Sequence, residues 1–524
     1  MTRLVRRLFS VLALITLLLA LPGTAHADIG VGSGGGTPGT SSNFVLVGQN
    51  PLFNRGMNAA LAIFDHFVYI GNRTDGSSTC GVGDPRGPGA NCPHPHPGVL
   101  ILDVKDPTNP TVVGEIGPPF EGNVGITSRE LRVLPQHKLL MVMNFRCSSV
   151  IHACPAGNDT TFPFDIKFFS LKDPVHPQFI ESYVPTSKAG VKVKPHEMFL
   201  WVDPNNDDRA LLYLSTPTLS TDPTRPNLMI VDISQVFKGG PVSEVAEGNW
   251  NNRYPGADNP ANYNFNLFVH SMGVSADGTR TYLAMEAGEF LVLDTSDIAK
   301  NVPNPQLRLL TDPANRPIWG NPAPCAKACP NGHSAVQVPG RAFALTTDEV
   351  YGTFTDPSFG CPWGWARLIS VSDPTHPTIV GEYQIAQDQQ SFCGSPGDDP
   401  QTEQFTSYSS HNPTVLPDLA LIDWHSGGLQ AIDISDPTHP SQGGWFSPTP
   451  LSSVANEDPA LSRGPNKVVM WSYPIISNGL IYVVDIRNGL YVLQYTGPQA
   501  NEVNEIHFLE GNSNLGDAVE LGQG

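Results

Sequence analysis

The chain has 524 residues, with 50 glycines, 50 prolines and a formal net charge of −19. An acidic surface repels phosphate backbones and anionic headgroups alike, which argues against nucleic acid and membrane surfaces as partners. So much glycine and proline calls for frequent turns and few long helices, and the length is ample for a large core.

Residues 1–27 read as a secretory signal peptide. Arg3, Arg6 and Arg7 give a positive start, Leu8 to Leu21 an apolar stretch, and Ala25-His26-Ala27 a small-x-small cleavage site. The apolar stretch is short for a membrane span, and no other segment approaches spanning length. The chain is therefore expected to be exported with Asp28 at its start, free of any membrane span, and to carry disulfides among its eight cysteines. Residues 28–42, rich in Gly, Ser and Thr, read as a flexible linker.

From there one sentence recurs. It reads GVLILDVKDPTNP from Gly98, IKFFSLKDPVHP from Ile166, ARLISVSDPTHP from Ala366 and GGLQAIDISDPTHP from Gly427, with weaker copies at Leu228, Phe290 and Leu490. Aligned on Asp103, Ser170, Asp232, Asp294, Ser370, Asp433 and Gln494, successive copies lie 67, 62, 62, 76, 63 and 61 residues apart. Each copy follows an apolar hairpin, such as the one around Asp277-Gly278, and precedes another strand, such as Thr111 to Ile116. A unit is thus four consecutive antiparallel strands, A to D, with the quoted sentence as C. Seven such units over residues 43–497 predict an all-β fold, a seven-bladed β-propeller of four-stranded antiparallel blades. The seventh unit stops at Tyr495 without a D strand, and Phe44 to Gly48 can supply it, which would close the ring with no free edge. The acidic, Gly-rich residues 498–524 read as a disordered tail.

The LxIxDxSDPxxP sentence resembles the LVIVD repeat of secreted and surface-attached bacterial propellers. The resemblance implies the fold and little about any reaction. Copies two, five and seven depart from it, with Ser170, Ser370 and Gln494 in place of the core Asp.

In such a unit the A–B and C–D turns lie on one face of the disc, and here they are short. The B–C loops and the links between units lie on the other face, and here they are long. Ordered long loops on a rigid scaffold are where function concentrates. All eight cysteines fall in those loops. Cys80 with Cys92 and Cys147 with Cys154 are expected to pair locally, and Cys325, Cys329, Cys361 and Cys393 among themselves, with three connectivities open.

A register of histidines is the sharpest chemical signal. Seven residues before each A–B turn stand His196, His270, His333 and His411, counted from Asp203, Asp277, Gly340 and Asp418. The same count gives Asn58 and Arg129 in the first two units and Trp471 in the last. Four consecutive units would aim imidazoles at the mouth of the central channel, a donor set suited to one transition metal ion: Fe, Cu, Zn or Mn. Glu130, Glu197, Glu286 and Glu289 are candidate carboxylates to orient them, and His425 is a possible extra ligand. The competing reading makes the histidines structural posts, copied into each blade by duplication.

Other histidines point elsewhere. His176, His376 and His439 belong to the DPxHP turns on the opposite face, and His94 and His96 to a rigid Pro-rich loop. Ser271, Ser334 and Ser410 each adjoin a register histidine, but neighbours on a strand point to opposite faces. No GxSxG, HExxH, phosphate-loop or EF-hand motif is present. Two functions remain. One is a binding or scaffold propeller whose disulfide-stapled loop face recognises a protein, glycan or small-molecule ligand. The alternative is a metal-dependent enzyme, an oxidoreductase, with its centre at the channel mouth.

Overall fold

The computed structural model describes residues 27–74, 86–87, 89–117, 126–146, 164–218, 222, 224–250, 268–319, 331–349, 364–392, 395, 407–458, 461–462 and 464–522. The repeated sentence becomes one local device. Val99–Asp103 and Leu429–Asp433 are buried up to their final Asp, because a C strand has sheet neighbours on both edges and packed layers on both faces. The Asp residues then organise the turn. Asp433 Oδ1 accepts from Ser435 N (3.0 Å) and Asp436 Oδ1 from Thr438 N (2.9 Å), two Asx-turns in succession. His176 and His439 bond the Asp three residues before them at 3.1 and 3.0 Å, and His376 lies 3.4 Å from Asp373, so these histidines belong to the turns as expected.

The fold is all-β and propeller-like. Its described residues form six sheets, five of four or five strands and one of eight. The expectation of seven separate four-stranded sheets is met only in part. The first two units share the eight-stranded sheet, joined through the single pair Asn72–Ser128 between a B strand and the next A strand. Unit three shows the plain case: Met198–Asp203, Asn206–Ser215, Leu228–Asp232 and Ser243–Gly248 pair in sequence order. A strands of neighbouring units pack side by side and make the inner wall. The core lies between units, as where Trp201, Tyr213 and Leu228 meet Met272, Leu283 and Leu291.

The closing strand lies where expected. Phe44–Asn50 runs antiparallel to Gly489–Tyr495, from Phe44 opposite Tyr495 to Asn50 opposite Leu490.

Two expectations are corrected. Residues 28–42 are no flexible linker: Asp28–Gly32 pairs in parallel with Thr378–Ile385, and Thr40–Ser42 pairs antiparallel with Ser441–Ser447. The glycines there serve close approach, not freedom. A Cβ on Gly30 would lie 1.9 Å from the Pro440 carbonyl oxygen, and one on Gly34 2.2 Å from the Trp445 ring.

Nor is the stretch from 498 a disordered tail. It forms a helix (Ala500–Glu505), a strand (Phe508–Glu510) and a short helix (Ala518–Leu521). Phe508–Glu510 pairs with Ile475–Ser477, the A strand of unit seven, and Ser513 bridges Leu200 in the A strand of unit three. Asn514 reaches the backbones of Val202 and Ala276. The segment therefore crosses the channel from unit seven to units three and four. Its apolar residues Val503, Ile506, Leu509 and Leu515 are buried, and Phe508 and Leu521 half-buried against the core, and a composition averaged over the segment hides them.

The signal segment up to residue 26 and the cysteines other than Cys92, with the pairings expected of them, lie outside the described residues. Cys92 is buried and disulfide-bonded. Among the described residues no helix is long and apolar enough to cross a membrane.

Candidate metal centre

The repeat places the register histidines by one backbone device. The amides of His196, His333 and His411 donate to the carbonyls of Ser215, Thr347 and Asp423 at 2.8, 2.8 and 2.9 Å, each at the end of its own B strand. The imidazoles then line up across units. Ring centroids lie 4.5 Å apart for His196–His270, 4.2 Å for His270–His333 and 3.8 Å for His333–His411. His425 extends the row at 4.8 Å from His411. The four predicted histidines thus converge, and the possible fifth joins them.

Glu349 sits at the middle of this row. Its Oε2 lies 3.2 Å from His270 Nε2 and 3.8 Å from His333 Nε2, and its Oε1 lies 3.2 Å from His411 Nε2. Sequence reasoning missed this residue, though a signal existed. Glu349 follows His333 by the same 16 residues that separate Glu286 from His270, so the two glutamates hold equivalent places after a B strand. Glu286 Oε2 is 3.8 Å from His270 Nε2.

Glu289 and Glu130, proposed as orienting carboxylates, are held by arginines instead. Glu289 is buried against Arg316, with bonds of 2.9 and 3.1 Å. Glu130 pairs with Arg132 at 3.2 Å. Glu197 is buried, and burial together with the charge of Glu130 pushes its carboxyl well above the usual range. The guanidinium of Arg129 stacks on Trp471 at 5.2 Å, beside that of Arg73 at 5.1 Å. One expectation about serines fails: Ser334 Oγ lies 2.8 Å from His333 Nδ1, although the two are sequence neighbours. Both precede the regular strand, which starts at Ala335, so the pleat's alternation does not apply to them. His96 pairs with Glu115 at 3.0 Å and stacks on Phe53, consistent with a rigid loop.

Side-chain partners fix which ring nitrogens face the centre. His411 Nδ1 donates to the Trp471 carbonyl at 2.6 Å, and His425 Nδ1 lies 2.8 Å from Ser407 Oγ. The Nε2 atoms are left for the interior, the pattern that metal-binding histidines show. His425 Nε2 and His270 Nδ1 are buried without a hydrogen-bond partner. His425 also holds a left-handed φ of 35°, a strain that clusters at functional sites.

Charge follows geometry. Burial keeps His196, His333 and His425 well below the ordinary histidine range, and lowers His411 despite Glu349. At His270 burial is outweighed by Glu286, Glu349 and Glu197, which push it up to about 9. Burial raises Glu286 to about 7. Burial also opposes the charge on Glu349, yet its bonds from His270 and His411 hold it well below the carboxylate range. Imidazoles around an ionised carboxylate are a metal-binding donor set once His270 has given up its proton.

The sequence profile of the LVIVD repeat matches residues 420–446. The chain thus carries an LVIVD repeat over these residues. No curated protein matches the sequence. Among solved structures, the N-terminal domain of Nup159 is 10% identical at a TM-score of 0.41, over 89% of this chain and 99% of that one. An S. cerevisiae complex of a Dbp5 variant with Nup159, a Gle1 variant, IP6 and ADP gives 10% identity and a TM-score of 0.40, over 90% of this chain and 99% of that one. Likenesses this weak bear on neither site nor function.

The histidine row borders a cavity of ≈ 340 Å³, of a size that holds a small molecule. His196, His270, Glu286 and Glu349 line it together with Arg73, Arg129 and Lys194. The imidazole and carboxylate groups and the basic groups thus face one space.

Proposed function

We propose that this protein is an exported metal-binding propeller whose loop-rich face holds a transition-metal centre and captures a small anionic ligand beside it. In this reading the eight-stranded sheet counts as two blades, which makes seven. The row of His196, His270, His333 and His411, with Glu349 against the last three, carries the proposal. Structural posts would stand apart, whereas these rings contact one another in series, and where a ring nitrogen bonds the backbone, as His411 Nδ1 does at Trp471, Nε2 still turns inward. Both His411 bonds at once need an imidazolium, which burial disfavours, so a cation between His411 Nε2 and Glu349 Oε1 satisfies both. The imidazole-rich set suits Cu, Fe, Zn or Mn, and Arg73, Arg129 and Lys194 favour an anion next to it.

A redox-active ion beside a captured anion is the arrangement of an oxidoreductase, and this is the enzymatic form of the reading. Capture without turnover is its binding-protein form. The deciding experiment strips the purified protein of metal, reloads it with Zn(II) or Cu(II) and counts bound ions by elemental analysis. The wild type should retain metal through gel filtration. Replacing His270→Ala and His333→Ala together should lower the retained metal while the far-ultraviolet circular dichroism stays unchanged. A wild type that retains no metal sinks the proposal.

A further inference from the structure

Glu349 turns its two oxygens toward two different groups of imidazoles. Oε2 faces His270 and His333, at 3.2 and 3.8 Å, while Oε1 faces His411 at 3.2 Å, with His425 beyond it. Among the described residues, the groups that could hold an ion fall into two sets, His270–His333–Glu349 and Glu349–His411–His425. Ligand atoms within each set lie within 4.8 Å of one another, and the sets share Glu349 alone. Metal–nitrogen and metal–oxygen bonds are about 2.0–2.2 Å long, so one ion joins only ligand atoms within about 4.4 Å of one another, close to the spread inside each set. The five rings run in series at centroid spacings of 3.8 to 4.8 Å, too long a row for one ion to reach every member.

We infer that the centre holds two transition-metal ions bridged by the Glu349 carboxylate, one on His270 and His333 and the other on His411 and His425. This rests on the metal-centre reading above and specifies its nuclearity. His196 adjoins the first position, its Nε2 being 3.1 Å from that of His270. Three independent features support the second position. His411 donates Nδ1–H to the Trp471 carbonyl, which leaves its Nε2 lone pair pointing at a carboxylate oxygen. His425 is buried with its Nε2 unpartnered. Its backbone is held in the left-handed region, where only a well-determined surrounding structure keeps a non-glycine residue. A carboxylate that bridges two ions about 3.5–4 Å apart is the usual frame of two-metal sites, which hold two oxygens of a substrate or polarise one between them.

The full-length protein without its signal segment is stripped of metal, titrated with Zn(II) alone, and its bound zinc is counted. The wild type is expected to bind two ions, His425→Ala one, and His270→Ala one. Glu349→Gln, which keeps the shape but weakens a shared ligand, should lower both affinities at least tenfold. In a parallel sample loaded with Cu(II), paramagnetic resonance should show magnetically coupled ions in the wild type and an isolated-ion spectrum in His425→Ala. One ion in the wild type, unchanged in number and affinity by His425→Ala, overturns the two-ion inference and leaves the metal centre standing. No bound ion overturns both. An isolated-ion copper spectrum in a wild type that binds two ions places the second ion elsewhere on the chain and also overturns the bridge.

Discussion

Replacing Asn514 by alanine tests whether the C-terminal segment holds the channel wall. Its side chain acts as a piece of backbone on the inner edge of unit three. Oδ1 accepts from Val202 N at 2.7 Å, and Nδ2 donates to the carbonyl oxygens of Val202 (2.7 Å) and Ala276 (3.1 Å). Three bonds at about 1 kcal/mol each are lost, and the buried Val202 amide is left without its partner, so the cost should be about 3–4 kcal/mol. Asn512 is the internal control. It too is buried, but both polar atoms of its side chain lack a partner, and its bond to Leu200 N comes from the backbone, which alanine keeps. Asn512→Ala should therefore change stability by less than about 0.5 kcal/mol, or raise it. Urea unfolding reads the difference as a fall in midpoint at constant slope for Asn514→Ala alone. Equal shifts for the two variants would refute the reasoning, as would no shift for Asn514→Ala.

Asp348 bonds Arg367 at 2.6 Å, Trp365 N at 2.9 Å and Trp319 Nε1 at 3.1 Å, immediately before Glu349 in the chain. Asp348→Asn leaves the buried Arg367 with Glu382 alone. It should cost about 2–3 kcal/mol in urea unfolding and weaken Zn(II) binding roughly 10–100-fold; zinc affinity unaffected by the change would mean that Asp348 does not position Glu349. Metal binding should also depend on pH in a defined window. His270 is raised to about 9 and must lose its proton to bind an ion, whereas Glu286, at about 7, is largely ionised above that value. Apparent Zn(II) affinity, measured by competition with a chelator of known affinity, should rise by about one log unit per pH unit from about 7 to 9 and level off above. A flat profile across that window would remove His270 from the ligand set.

Much of the architecture was legible because a repeat repeats its local physics. The same apolar run, the same Asp-centred turns and the same hairpin recur, so each unit's strands follow from residues close in sequence. The closing strand followed from counting: one unit lacked a D strand and the start of the chain offered one. The histidine register was legible for the same reason, since duplication fixes where each A strand begins. The glycines of residues 28–42 and the polar stretch from 498 misled, because composition reports average solubility and not the neighbour that a few residues meet. Gly34 lies against Trp445, and Asn514 against Val202, contacts between segments hundreds of residues apart.

By itself, then, the sequence determined the repeat, the strand order within each unit and the level at which four imidazoles enter the channel. The tertiary structure alone decided that these imidazoles adjoin one another and that a loop glutamate lies among them. Glu286 and Glu289 are three residues apart on one hairpin, yet the first adjoins His270 and the second is held by Arg316. Local periodicity sets the level of a side chain along its strand. Which group it meets across the channel depends on how the sheets fan around the axis, and that is fixed by packing between units distant in the chain.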